Sequence, residues 1–159
     1  MTDIQTNALQ PSLFTRLTAP ASATVEALAD AGLRVAAGLF LVPHGAQKLF
    51  GAFGGYGLEA TGQFFETQLG FANGLLVALA AGLIETVGGL LLALGLATRL
   101  VAVTIAGFLA VAASIHFGAG FFWTDGGWEF PALWAILVGS YAVRGGGRYS
   151  LDAVLSNRG

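Results

Sequence analysis

Apolar residues run almost unbroken through four stretches of the chain, at 28–50, 71–97, 100–117 and 130–143, and polar residues gather between them. A helix needs about 20 mostly apolar residues to cross about 30 Å of hydrocarbon. The second run meets that length, and the first and third come close. The fourth has 14 residues between Glu129 and Arg144, so it reaches across only if Gly126, Gly127 and Trp128 extend it or the bilayer thins. The pattern predicts an all-α polytopic membrane protein, an antiparallel four-helix transmembrane bundle joined up-down-up-down. Its parts are an N-terminal extension at 1–27, a four-span domain at 28–143 with loops at 51–70 and 118–129, and a tail at 144–159.

Finer periodicities sit on this frame. Ala102, Ala106, Ala110 and Ser114 recur every four residues, as in a small-residue ladder for close helix contact. Ala78, Ala81, Gly82, Glu85, Gly88 and Gly89 fall on one face of the second run. Residues 58–66 alternate as a short amphipathic helix lying on the membrane surface, with Phe64 and Phe65 toward the bundle or the lipid. Leu13, Phe14 and Leu17 suggest either a second surface helix, limited by Pro11 and Pro20, or a disordered tail. No cleavable signal peptide is expected, because Arg16 is the one basic residue of the extension and no cleavage-site pattern follows it. Gly145, Gly146 and Gly147 end the fourth helix.

Composition strengthens the membrane reading: 55% of residues are hydrophobic, only 10% are charged, and mean hydropathy is +0.74. A soluble bundle would have too little charge to cover its surface. Six of the seven basic residues (Arg16, Arg34, Arg99, Arg144, Arg148, Arg158) fall on one side if the N-terminus is inside, leaving Lys48 outside. The positive-inside rule therefore puts both termini in the cytoplasm. Trp123, Trp128 and Tyr56 fall at interfacial depth. With a net charge of −2 and no basic patch, nucleic acid is not an expected partner. The absence of cysteine excludes thiolate nucleophiles, Cys-ligated zinc and iron–sulfur clusters.

A few polar positions inside the runs carry the candidate chemistry. Glu85 lies near the middle of the second run, where a carboxylate must face the bundle interior and find a partner or hold a proton. Arg34 is its expected partner, as a buried ion pair that either fixes helix packing or belongs to a ligand or proton site. His44 shares a stripe of the first run with Arg34 and Lys48. Lys48 can snorkel to water, whereas His44 needs a partner. His116 ends the third run at similar depth, with Asp125 and Glu129 just beyond. His44, Gln47, Lys48, Glu85, His116 and Glu129 are thus the candidate ligand-binding residues. Phe64, Phe65, Trp123 and Trp128 would close a pocket suited to quinone or another amphipathic molecule. A haem held by His44 and His116, or a metal held by His44, His116 and Glu129, is a weaker alternative, and no intrinsic cofactor or metal is expected.

Four separated strings resemble the DoxX family over about 31–152. They are His44-Gly45-Ala46-Gln47-Lys48-Leu49-Phe50-Gly51, Glu85-Thr86-Val87-Gly88-Gly89 continuing to Leu94-Gly95-Leu96-Ala97-Thr98-Arg99, Gly127-Trp128-Glu129-Phe130, and Gly145-Gly146-Gly147-Arg148-Tyr149-Ser150-Leu151-Asp152. The resemblance implies a four-span bacterial or archaeal inner-membrane protein. Some relatives are named as subunits of a thiosulfate:quinone oxidoreductase and others as membrane partners in oxidative-stress complexes, so redox protein subunits, or further copies of the chain, are expected partners. The motif positions carried over are His44, Gln47, Lys48, Glu85, Glu129 and Arg148. Three functions follow as expectations: a quinone-binding subunit of a redox complex, a scaffold without a small-molecule site, or a small transporter.

Overall fold

A computed structural model describes residues 19–156. The described residues are 79% helical, and no strand occurs among them. Leu13, Phe14 and Leu17 lie outside them.

The first apolar run forms two helices. Ser22 accepts from the Val25 amide and starts α1 at Ala23–Leu39; α2 follows at Leu41–Phe50. The break at Phe40 precedes Pro43, whose missing N–H leaves no donor for the Leu39 carbonyl. A left-handed Gly51 (φ 68°) ends α2. The helix predicted for 58–66 is present as α3, Gly57–Thr67. The second run holds α4, Gly74–Leu83, a π-helical turn at Ile84–Gly88, and α5, Gly89–Leu94. α6 spans Thr98–Ile115 and α7 spans Glu129–Arg144; a short α8, Leu151–Ser156, closes the described chain.

The continuous helical stretches Gly74–Leu94 and Thr98–Ala119 are long and apolar enough to cross a membrane. Only 33% and 22% of their most apolar windows are buried inside the protein, so neither is the core helix of a soluble fold. Leu76, Leu100, Val103, Leu133, Ile136 and Val143 are all more than half exposed. Such oily outer faces suit lipid rather than water. The fourth helix is not extended by Gly126, Gly127 and Trp128: it starts at Glu129, and its 16 residues reach about 24 Å.

Packing turns on glycine. A Cβ on Gly38 would come 2.4 Å from the Gly89 carbonyl oxygen, and one on Gly45 would come 2.6 Å from that of Gly82. The seven-residue spacing on both sides of this antiparallel helix contact brings the first run against the second, backbone to backbone. The α6 ladder is only partly realised. Ala102 is buried, whereas Ala110 and Ser114 are exposed; α6 instead buries Val101, Ala102, Ile105, Leu109 and Ala113, largely against α7. Trp134, Val138 and Tyr141 of α7 complete the core with Leu41 and Leu92.

Candidate functional site

The molecule has two polar ends. At the end holding the α5–α6 turn, charge is spent on backbone. Gly95 (φ 67°) forms a Schellman cap, in which the Gly95 and Leu96 amides donate to Leu92 and Leu91. Arg34 is 1% exposed and donates to the carbonyls of Leu92 (2.8 Å), Ala93 (2.5 Å) and Tyr149 (2.5 Å). A cation on the last carbonyls of a helix also meets the negative end of its dipole. Asp152 accepts from the amides of Ala97 (2.8 Å) and Thr98 (2.9 Å), capping α6 from 54 residues away. Partial burial pushes the Asp152 carboxyl up, but the bonds from Thr98 and Ala97 and the nearby Arg34 charge outweigh it and hold the group below its ordinary value. Asp30 pairs with Arg144, and its carbonyl accepts from the Tyr141 hydroxyl (2.9 Å).

At the loop end, charge faces a cavity of about 400 Å³. Its lining is mostly apolar, with Phe64 and Phe65 from α3, Phe108 and Val111 from α6, and Trp123, Phe130 and Trp134 around α7. Polar groups are few. Lys48 Nζ donates to both carboxylate oxygens of Glu85, at 2.9 and 2.7 Å, and approaches the His44 carbonyl at 3.4 Å. Glu85 is 5% exposed and lies in the π-helical turn, a distortion that recurs at functional sites because it re-aims a side chain. His44 meets Trp134 edge-on at 6.0 Å, and His116 meets Trp123 at 5.4 Å while its Nδ1 lies 2.7 Å from the Gly126 carbonyl oxygen.

The DoxX family model matches residues 29–123, three-fifths of the chain. The chain belongs to the DoxX family. Neither the curated proteins nor the solved structures compared with it gave a match. Family membership together with the exposed apolar helices makes this DoxX chain a membrane protein. The matched segment contains Arg34, His44, Gln47, Lys48, Glu85 and His116; Glu129 and Arg148 lie beyond it.

Of the expected site, His44, Lys48, Glu85 and His116 line one cavity, with Phe64, Phe65 and Trp123 in its wall. The expected Arg34–Glu85 pair is not formed: Lys48 pairs with Glu85, and Arg34 binds helix-end carbonyls. Helical side chains lean toward the N-terminus of their own helix. The glycine contacts set Glu85 level with Leu41 and Val42, so Lys48 leans toward Glu85 while Arg34 leans away. Consequently Lys48 does not snorkel to water.

Five other expected positions stand apart from the cavity lining. Gln47 approaches the Phe53 carbonyl at 3.4 Å. Glu129 accepts from the Trp123 amide at 3.0 Å, holding the loop. Asp125 lies in the turn Trp123–Asp125. Trp128 stacks on Phe117 at 5.1 Å rather than closing the pocket. Arg148 lies over the Tyr149 ring. His44, His116 and Glu129 gather into no metal-ligand cluster among the described residues. Phe130 and Trp134 were missed as cavity residues; their i, i+4 spacing on the fourth run is the signal that would have found them.

Proposed function

We propose that this DoxX protein is an inner-membrane subunit of a bacterial or archaeal redox assembly, and that it binds quinone, in either redox form, in the cavity between its helices. The observation that carries this reading is an apolar, aromatic-walled cavity with a half-buried Lys48 paired to a buried Glu85 and two histidines on its lining. Its volume of about 400 Å³ falls in the roughly 300–1,000 Å³ range of small-molecule sites. Cysteine is absent, so a partner subunit carries the electrons to or from the ligand. Four crossings with both termini cytoplasmic agree with Arg34, Arg99, Arg144 and Arg148 gathering at the turn end.

Quinone titration of purified protein tests the reading. Glu85→Leu and His44→Leu are each expected to weaken binding about tenfold, and unchanged affinity in both overturns it. A complex that keeps its activity in both variants would mark the chain as a scaffold. Topology has its own test: Asp125→Cys in this cysteine-free chain should react with an impermeant maleimide from the periplasmic side only.

A further inference from the structure

Hydrogen-bond valence in the cavity is lopsided. Lys48 has three N–H groups; two are committed to Glu85 and the third points toward the His44 carbonyl. The Trp134 indole N–H is committed to the Ala37 carbonyl at 3.2 Å. A carbonyl only accepts, so the 2.7 Å contact with Gly126 fixes the hydrogen of His116 on Nδ1. In the neutral tautomer compatible with that contact, Nε2 is an acceptor. Glu85, with two lone-pair positions taken by Lys48, has about two more to offer. His44 has no hydrogen-bonded ring nitrogen among the described residues and can serve as donor or acceptor by switching tautomer. The lining therefore has spare acceptors, while the fixed donors of Lys48 and Trp134 are used.

α4 and α6 meet through the Ile84–Gly88 turn and α5, and make little contact farther toward the loop end. Ala80, Val111 and Ile115 border the cavity in that gap and are exposed on the outer helix faces.

We infer that the cavity selects the reduced, hydroxyl-bearing form of an alkylated aromatic ligand, which donates its O–H groups to Glu85 and His116 while its tail leaves between α4 and α6. This rests on the ligand-site reading above. An oxidised dicarbonyl head would bring more acceptors to a lining already rich in them, and buried acceptors without donors are penalised.

Calorimetric titration of the full-length protein in detergent, under anaerobic conditions, with three probes tests this. The probes are decyl hydroquinone, its dimethyl ether and decyl benzoquinone. The hydroquinone is expected to bind about tenfold or more tighter than the other two. His116→Phe should narrow that gap several-fold, because it removes one of the two acceptors while Glu85 remains. Equal affinities, or a tighter benzoquinone, overturn the selection while the ligand-site reading stands. If none of the three binds, both fall. The wild-type comparison decides the matter without any variant.

Discussion

The two ends of this protein handle charge in opposite ways. At the turn end, Arg34 and Asp152 grip the α5–α6 connection from either side, the cation on the carbonyls that finish α5 and the anion on the amides that begin α6. Their targets are backbone groups that any helix leaves unpaired. At the loop end, Lys48 and Glu85 address each other, and their remaining valence faces a cavity. Charge closes the structure at one end and leaves it chemically open at the other.

Substitutions can break this contrast. Arg34→Met should cost the most, about 3 kcal/mol or more, because three carbonyls lose a charged donor inside the protein. The check is thermal unfolding in detergent, with ligand affinity of the folded fraction unchanged. Lys48→Met should cost about 3 kcal/mol by stranding Glu85, and Lys48→Met with Glu85→Met should recover most of it. The double variant should still lose its ligand, which separates packing from binding. Gly45→Ala should cost about 2 kcal/mol, since its methyl group would collide with Thr86 and the Gly82 carbonyl.

The smallest effect is the most diagnostic of the closed end. Asp152→Asn should cost about 1 kcal/mol at neutral pH. The folded carboxyl titrates below its unfolded value of about 3.9, so its contribution is complete above that value. It disappears as pH falls through the lower folded value. The Tm difference between wild type and variant should hold steady from about pH 5 to 8 and shrink below about pH 4.

The sequence made the apolar runs, the inward-facing Glu85 and the helix predicted for 58–66 legible, because each is a local pattern. Three cavity-lining polar residues, His44, Lys48 and His116, were found by depth alone. The partner of Glu85 was not, because depth ignores the direction in which a helical side chain leans. Arg34 and Lys48 lie on one stripe, and only the register of Gly38 on Gly89 and Gly45 on Gly82 tells which of them reaches Glu85. The π-helical turn had no local signature. The cap from Asp152 was equally hidden, since acceptor and donors are more than fifty residues apart in the chain.

The bare-backbone seam between Gly38–Gly45 and Gly82–Gly89 has a mechanical consequence. Backbone meeting backbone at both glycine pairs sets how far apart these helices stand, and with it the outline of their half of the cavity wall. The opposite half, where Trp123 rests on His116 and Phe130 through ring contacts alone, has no such backbone stop and is the side that can yield to a larger guest.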